Sequence, residues 1–287
     1  TERTASPIGS FISSPSIKTA KIKLPTINVA YPWDPEKEVP PSEAFENIDS
    51  VINLSGENIA TGRWTETKKK RIRNSRVIGT QNLVKGMAEA NNKPKVFVSA
   101  SAIGFYGDRG DELLREGSVP GSGFLSESCQ EWEMEALKAK DFGIEVAIVR
   151  TGIVLGKGGG ALGKMLPIFK MGLGGKLGSG NQWMSWIHIK DLSEIYLCAA
   201  EGKCLGIING ISPTPVTNEE FTRVLAKVLT CPAIFPVPEL VLKIVLGEMS
   251  QILTSSQYVV ADAVRECGFT FQYENLENSL MDIIYNL

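Results

Sequence analysis

Residues 96–107, VFVSASAIGFYG, decide the fold and supply the first candidate for a site. They predict a buried strand at residues 96–99, followed by a small-residue loop that carries the hydroxyls of Ser99 and Ser101. In an open parallel sheet, ligands bind outside the carboxyl ends of the strands, where small residues let hydroxyls and backbone approach them. This loop is therefore a candidate reaction centre, although a tight Ser/Ala turn chosen for packing explains the same composition equally well.

Strands and helices alternate on both sides of this stretch. The predicted strands lie at residues 50–54, 144–150 and 207–209, and the predicted helices at residues 65–90, 126–141 and 217–229. Two of the helices carry a capping-box pattern, with Ser128 and Glu131 in the first and Thr217 and Glu220 in the second. The alternation predicts an α/β fold, a Rossmann-like doubly wound parallel sheet covered by helices on both faces.

The chain divides into three parts by composition. Residues 1–30 form an atypical N-terminal arm, residues 31–155 the Rossmann-like domain, and residues 156–287 mainly a smaller C-terminal substrate lobe that is interleaved with the sheet. The arm is rich in Thr, Ser, Pro and Lys and has one acid, Glu2. Such a composition fits the remnant of an organelle-targeting peptide or, alternatively, a disordered or surface-draped arm.

Bulk composition restricts the class of protein. The 287 residues are 43% hydrophobic and carry a formal net charge of −2, so no global basic field points to nucleic acid as a partner. The five scattered cysteines indicate reduced thiols in an intracellular compartment, either the cytoplasm or an organelle matrix such as the mitochondrion or chloroplast stroma. A single histidine, His188, excludes a multi-histidine metal site, and we predict no metal. No apolar run approaches the ~20 residues of a transmembrane segment.

Residues 158–165, GGGALGKM, form the most conspicuous glycine-rich loop. They match the G-x-G-x-x-G dinucleotide pattern, but the acidic residue expected ~20 positions further on is missing. They also match a Walker A loop, except that Met165 replaces the Ser/Thr that binds Mg²⁺. Phosphoryl transfer is thereby excluded, and a flexible loop of the substrate lobe is favoured over a pyrophosphate site.

Several longer stretches carry a family resemblance. They are NLSGENIA (53–60), RWTETKKKRIRNSRVIGTQNL (63–83), VSASAIGFYGDRGDE (98–112), FLSESCQEWE (124–133), VRTGIVLGKGGGALGKMLP (149–167), LGSGNQWMSWIHIKDL (177–192) and NGISPTPVTNEEF (209–221). In this order they resemble the epimerase-family group of atypical extended short-chain dehydrogenases/reductases, described as nucleoside-diphosphate-sugar epimerase-like or cell-division-inhibitor-like. The resemblance covers residues 31–287 and implies a Rossmann-type domain, a C-terminal substrate lobe and NAD(P) as cofactor.

The resemblance also implies two deficits in this chain. The family opens with a strand and a G-x-x-G-x-x-G loop, whereas the first 30 residues here offer only Gly9, so we expect the first βα unit to be degraded or replaced. Active extended members use Asn, Ser/Thr, Tyr and Lys for proton transfer. The Ser position falls on Ser101 and the Asn position on Arg76, but the Tyr and Lys positions fall on Leu125 and Cys129.

A substitute catalytic set can be drawn from neighbouring residues. Tyr106 is a candidate proton donor, and Cys129 a candidate nucleophile if Arg76 lowers its pKa. The alternative for Tyr106 is an aromatic ring that packs under the loop, and for Cys129 a buried inert thiol is favoured over a nucleophile. His188, flanked by Ile187 and Ile189, is typical of a hydrogen-bonded core residue rather than a base.

If a cofactor binds, the resemblance assigns six residues to it besides Ser101. These are Leu54, Ser55, Gly56, Ser99, Thr151 and Val154. Loss of even two charge-assisted hydrogen bonds to the pyrophosphate costs ~3–6 kcal/mol, or roughly two to four orders of magnitude in affinity. The sequence therefore favours a non-catalytic scaffold, or a subunit of a larger assembly with protein partners and possibly no cofactor. The alternative is an active NAD(P)-dependent epimerase/oxidoreductase acting on a small or nucleotide-sugar-like substrate.

Overall fold

The computed structural model describes residues 31–285. The expectations about the N-terminal arm, the Gly9 region and the first βα unit lie outside the described residues. Within the described part, strands and helices follow one another in the predicted alternation.

The strands are β1 (Ser50–Asn53), β2 (Val96–Ala102), β3 (Leu113–Leu114), β4 (Glu145–Thr151), β5 (Ile153–Leu155), β6 (Trp183–Met184), β7 (Trp186–His188), β8 (Gly206–Gly210), β9 (Val216–Thr217) and β10 (Tyr258–Val259). The helices are α1 (Glu66–Glu89), α2 (Phe124–Leu137), α3 (Gly160–Lys170), α4 (Ile189–Ala200), α5 (Asn218–Leu229), α6 (Glu239–Leu246), α7 (Gln251–Thr254), α8 (Asp262–Glu266) and α9 (Leu276–Tyr285).

A four-stranded parallel sheet in the order β1-β2-β4-β8 forms the centre of the molecule. Asn53 is in register with Ser99. Three residues further along β2, Ala102 pairs with Thr151, which in turn pairs with Gly210. Because all four strands run in the same direction, their carboxyl ends meet at one edge of the sheet. The loops that carry the candidate residues start from this edge.

Helices cover both faces of the sheet, as the predicted fold class requires. Phe97 and Ile148 point to the face that is packed by α1 and α2, whereas Val98 and Val149 point to the face that is packed by α4. This strict alternation follows from the period of two along a strand. Both faces are buried, which explains why the strands read as continuous apolar runs.

A separate apolar cluster holds the C-terminal part of the chain together. It combines α3, α5 and α9 with the paired strands β5 and β7, around large buried side chains such as Trp186, Phe221 and Leu280. Strand β8 nevertheless belongs to the central sheet, so the C-terminal half of the chain contributes to both cores. None of the helices between residues 31 and 285 is both long and apolar enough to cross a membrane.

The predicted starts of helices α1 and α5 agree with the structure, whereas the predicted cap of α2 and the predicted end of β2 do not. Thr65 caps α1 by accepting a hydrogen bond from the Lys68 backbone N–H, and Thr217 caps α5 by accepting one from Glu220. The predicted capping box at Ser128 is wrong, because α2 already begins at Phe124 after Gly123 and buries Ser128 inside the helix. Predicted strand 96–99 also continues to Ala102, since each of these residues pairs with β4.

Candidate functional site

The candidate residues occupy the carboxyl edge of the sheet in two neighbouring regions. We call the first the β1 region; it comprises Asn53, residues 54–56, and Arg76 and Thr80 on α1. We call the second the β2/β4 region; it comprises Ser101, Tyr106, Glu133, Arg150 and Asn209. The two regions share an edge but differ in how their polar groups are paired.

Asn53 organises the β1 region. Its side-chain oxygen accepts hydrogen bonds from the Ser55 backbone N–H (3.1 Å) and the Ser55 hydroxyl (2.6 Å), and its amide donates to Thr80 Oγ1 at 2.9 Å. Thr80 also accepts from the indole N–H of Trp132 at 2.9 Å. These bonds fix the turn that follows β1 and leave Leu54 projecting outward, with 66% of its surface exposed.

Arg76 lies next to this turn and has no carboxylate partner among residues 31–285. Its guanidinium donates to the backbone oxygens of Glu57 (3.1 Å) and Ile72 (3.0 Å) and lies 5.3 Å from the ring centroid of Trp132. The Glu57 carboxylate is taken by two other cations of α1 instead. Burial lowers the pKa of Arg76, against the opposing effects of Cys129 and Glu57.

Gly56 lies close to the side chain of Arg76 on α1. A Cβ atom at this position would lie 2.9 Å from Arg76 Cζ. Any larger residue therefore has to displace the guanidinium, so glycine preserves the space in front of Arg76. The region thus combines one unmatched positive charge with close access to the backbone.

Ser99 and Ser101 lie within β2 rather than in a loop, and both are buried. They point toward α2, because they share the strand face of Phe97. The Ser101 hydroxyl donates to Glu133 Oε1 at 2.6 Å, and the Ser99 hydroxyl reaches only the neighbouring backbone oxygen of Ala100, at 3.2 Å. The prediction that both hydroxyls lie on an open loop is wrong, because pairing with β4 extends the strand past them.

A buried ion pair is the centre of the β2/β4 region. Arg150 binds Glu133 in a bidentate manner, with Nε–Oε1 and Nη2–Oε2 distances of 2.9 and 2.8 Å, and each side chain is about 5% exposed. The guanidinium also stacks on Phe105, 3.4 Å from the ring centroid. Burial acts to lower the pKa of Arg150, but Glu133 and Tyr106 raise it overall, so the pair stays charged.

Tyr106 belongs to the same network. Its hydroxyl donates to Asn209 Oδ1 at 2.7 Å and accepts from Arg150 Nη1 at 3.0 Å. The side chain is fully buried, and this burial raises the pKa of the phenol, although Arg150 and Asn209 act against the rise. Its position matches the packing alternative, because both hydrogen-bonding capacities of the hydroxyl are used inside the core.

Leu125 and Cys129, to which the resemblance assigns the Tyr and Lys positions, lie on α2 next to Gly104. A Cβ atom at Gly104 would be 3.5 Å from Leu125 Cβ and 4.0 Å from Cys129 Sγ. Burial, followed by the charge of Glu133, raises the pKa of Cys129 to about 11, despite the opposing charge of Arg76. The condition set for Cys129 as a nucleophile, a pKa lowered by Arg76, is therefore not met.

Thr151 and Val154 flank the other end of the edge. The Thr151 hydroxyl lies 3.3 Å from the Val149 carbonyl oxygen and 3.4 Å from the hydroxyl of Tyr196, whose pKa burial raises to about 12. Val154, in β5, packs against the core between the sheet and α4. Thr151 is thus at the edge, beside Ala102 and Gly210, while Val154 lies beyond it.

The glycine-rich loop leads from β5 into α3, which starts at Gly160 without a side-chain cap. Lys164, in the first turns of α3, donates to the Ala60 backbone oxygen at 2.5 Å. The loop therefore reaches across to the segment that follows β1. This placement brings the glycine-rich loop beside the β1 region.

His188 is buried and forms the N-cap of α4, where its Nδ1 accepts from the Lys190 backbone N–H at 3.1 Å. Its ring stacks on Tyr273 with 3.7 Å between centroids, and Nε2 lies 3.2 Å from Asp282. Burial lowers its pKa, although Asp282 acts against this. These contacts fit the expected core role. Residues 31–285 hold no group of three or more His, Cys, Asp or Glu side chains able to bind a metal.

Sequence reasoning missed Glu133, Arg150 and Asn209, which pair with the predicted hydroxyls. A signal was present for one of them: Arg150 follows the apolar run of residues 146–149 in β4, and a buried arginine needs a charged partner. Its partner lies 17 residues earlier, on a different element, and no local pattern identifies it.

Comparisons with known proteins agree with this architecture. The model of the NAD dependent epimerase/dehydratase family matches residues 37–209, and the model of a domain of unknown function matches residues 237–283. An Arabidopsis thaliana protein named as a chloroplastic homolog of epimerase family protein SDR39U1 is 42% identical over 239 residues, which cover 82% of this chain and 68% of that protein. Epimerase family protein YfhF of Bacillus subtilis is 36% identical over 252 residues, or 87% of this chain and 80% of the relative.

A solved structure is similar over almost the whole chain. The crystal structure of human epimerase family protein SDR39U1, isoform 2, with NADPH superposes with a TM-score of 0.84 at 30% identity, covering 98% of this chain and 92% of the human one. The family-model match spans more than half of the 287 residues, and the sheet order and helix layers agree with it. The chain belongs to the NAD dependent epimerase/dehydratase family.

Proposed function

We propose that this chain is a non-catalytic member of its family that serves as a scaffold or as a subunit of a larger assembly. One observation carries the proposal: the hydroxyls of Ser101 and Tyr106 are bound inside the buried Glu133–Arg150 network. The resemblance adds that Leu125 and Cys129 stand at the positions of the family's Tyr and Lys. No acid-base group of the family's type is left free at this edge among the described residues.

Proton transfer requires a group that reaches the substrate and titrates near the working pH. Leu125 has no titratable group, and the thiol of Cys129, with a pKa of about 11, stays protonated at neutral pH. Tyr106 is buried, and burial raises its pKa as well. Leu125 therefore has no group that can transfer a proton. The thiol of Cys129 and the phenol of Tyr106 are both buried, and burial raises the pKa of each.

The scaffold proposal is tested by isolating the full chain from its native source under mild conditions and measuring its mass by light scattering and its composition by mass spectrometry. We expect stoichiometric protein partners. The contrary result is a monomer that oxidises NADPH or NADH with carbonyl or nucleotide-sugar substrates, at a rate that the Ser101→Ala variant loses.

The second candidate is NAD(P) binding, with or without turnover. Arg76 favours it, because a half-buried guanidinium with no carboxylate partner in residues 31–285 suits an anionic ligand. The similarity to the NADPH-bound human protein supports the same candidate. A bound nicotinamide dinucleotide would supply hydride transfer, and the resemblance assigns Leu54, Ser55, Gly56, Ser99, Thr151 and Val154 to it.

The β1 region fits such a ligand better than the β2/β4 region does. Gly56 keeps backbone open beside Arg76, and Ser55 and Thr151 are only partly buried. Ser99 and Ser101, in contrast, are buried, and the Ser101 hydroxyl already donates to Glu133. We therefore assign the contacts to residues 54–56, Arg76 and Thr151 rather than to the two serines of β2.

Calorimetric titration of the full chain with NADPH and with NADH tests this assignment. If the dinucleotide binds at the β1 region, Gly56→Val weakens binding at least ~10-fold, since its side chain occupies the space before Arg76. Gly117→Val is the matched control, because a Cβ atom at Gly117 has no neighbour within 4 Å. Equal affinities in both variants would exclude this site, and no binding to the unmodified chain would leave only the scaffold.

For the compartment we propose an organelle matrix. The Thr/Ser-rich composition of residues 1–30 motivates it, and the name of the Arabidopsis relative, chloroplastic, supports it. A fluorescent protein fused after residue 287, imaged against plastid and mitochondrial markers, tests this proposal. A purely cytosolic signal contradicts it.

A further inference from the structure

Two cysteine side chains face each other at the corner where α4 ends and β8 begins. Cys198 lies in the last turn of α4 and Cys204 just before β8, and their Sγ atoms are 3.3 Å apart. Cys204 is 1% exposed, whereas Cys198 is half-buried and reachable from solvent. The expected set of scattered thiols thus contains one pair that the fold brings into contact.

The backbone holds this pair in place. At the end of α4, the N–H groups of Gly202 and Lys203 donate to the carbonyl oxygens of Ala199 (2.9 Å) and Cys198 (3.1 Å). Gly202 has a φ of +75°, a conformation that favours glycine and that turns the chain back toward the helix. The same corner is tied to β1, because the Ser50 hydroxyl donates to the Ala200 carbonyl oxygen at 2.6 Å.

A third thiol, Cys267, follows α8 on the outside of this corner and is exposed. Burial, together with the neighbouring thiols Cys267 and Cys198, raises the pKa of Cys204. Cys204 is therefore a poor first nucleophile, and Cys198, which is more accessible, is the better one.

We propose that Cys198 and Cys204 are an oxidisable dithiol that closes to an intramolecular disulfide when the protein meets a disulfide oxidant such as oxidised glutathione. A disulfide requires the two sulfur atoms, now 3.3 Å apart, to approach to ~2.05 Å, a movement of little more than one ångström. The proposal concerns a modification site and does not depend on whether the chain binds a cofactor.

The exchange proceeds in two balanced steps. The Cys198 thiolate attacks one sulfur of oxidised glutathione, forms a mixed disulfide and releases one glutathione. Cys204, after losing its proton to solvent, attacks the Cys198 sulfur and displaces the second glutathione. The two protein thiols are oxidised, and one oxidised glutathione is reduced to two molecules of glutathione.

The full chain is incubated with oxidised glutathione, alkylated to block remaining thiols, and digested with trypsin without reduction. Cleavage after Lys190, Lys203 and Arg223 places Cys198 and Cys204 in different peptides, residues 191–203 and 204–223, so a disulfide links the two peptides in the mass spectrum. We expect this linked pair, its disappearance with dithiothreitol, and a Tm that rises by roughly 2–6 °C on oxidation.

Matched variants distinguish the outcomes. Cys267→Ser retains the linked pair and the Tm rise, whereas Cys198→Ser and Cys204→Ser lose both. If the oxidised chain instead links residues 204–223 to residues 266–287, the peptide of Cys267, or if it carries only glutathione adducts, the proposal is wrong. The Tm of each reduced variant is measured first, to test that the variant folds. The absence of a link in a folded variant is then not due to misfolding.

Discussion

The β1 region and the β2/β4 region lie side by side on one sheet edge, yet they differ in whether their arginine is paired with a carboxylate. In the β2/β4 region, Arg150 is matched by Glu133, and the neighbouring hydroxyls are hydrogen-bonded to the pair. In the β1 region, Arg76 has only backbone oxygens and the face of Trp132, and no carboxylate in residues 31–285 neutralises it.

This difference indicates which of the two regions is available to a ligand. A buried polar network whose members satisfy one another is rigid, and recruiting any of its groups leaves the others unpaired. An unmatched cation beside an open glycine turn has the capacity to bind an anion. We therefore expect a ligand on the β1 side, because the hydroxyls of Ser101 and Tyr106 are already hydrogen-bonded inside the core.

Breaking the ion pair should give the largest effect. Arg150→Met leaves the Glu133 carboxylate buried without its partner, so we expect a loss of ~3–5 kcal/mol in the free energy of unfolding, measured by urea denaturation. The double variant Arg150→Met with Glu133→Leu removes both charges and should recover most of that loss. Additive losses in the double variant would show that the two side chains are not coupled.

Alkaline titration of Cys129 probes the boundary between the two regions, because Glu133 raises its pKa and Arg76 lowers it. The folded thiol titrates at about 11 and the unfolded one near 9.0, so between these values the folded state keeps a proton that the unfolded state has released. Stability must then fall as pH rises through this window, by ~2–3 kcal/mol.

The measurement for Cys129 is the slope of unfolding free energy against pH from 8 to 11, compared with Cys129→Ala. The variant should have the shallower slope, even if its stability at pH 8 is lower because packing is lost. Parallel slopes would mean that the Cys129 thiol is not held neutral by its surroundings.

Removing the Tyr106 hydroxyl tests the hydrogen-bond network of the β2/β4 region with a smaller change. Tyr106→Phe leaves Asn209 Oδ1 without its donor and Arg150 Nη1 without one acceptor, so we expect a loss of ~1–2 kcal/mol in unfolding free energy. The control is Tyr258→Phe, since the Tyr258 ring stacks on Trp183 and its hydroxyl has no hydrogen-bond partner among the described residues. A Tyr106 variant as stable as the control would argue against the network.

Removing the unmatched charge should have the smallest effect. Burial lowers the pKa of Arg76, so its charge is destabilising where it lies, and Arg76→Met should change the unfolding free energy by less than ~1 kcal/mol. The same arginine-to-methionine change at position 150 is the internal control. If Arg76→Met were as damaging as Arg150→Met, the two regions would not differ in the way described.

Local sequence patterns predicted much of the fold. Alternating apolar runs and amphipathic segments predicted the parallel sheet, and Thr65 and Thr217 begin or precede their helices as the sequence indicates. The errors lie at element ends, as for β2 and α2. There, pairing with β4 or docking against residues 103–106 decides where an element begins or stops, and local sequence carries no signal for either.

The sequence alone carried the family resemblance. It also carried the expectation that the Tyr–Lys pair is lost, because Leu125 and Cys129 stand at the positions that the resemblance assigns to that pair. Only the tertiary structure decided that Ser101 and Tyr106 are bound rather than available. Their partners Glu133 and Asn209 are 32 and 103 residues away in the chain, and hydrogen bonds depend on distances that only folding sets. The same holds for Arg76 and Arg150, which are the same residue type. Only their neighbours in space leave the half-buried Arg76 without a carboxylate in residues 31–285 and pair Arg150 with Glu133.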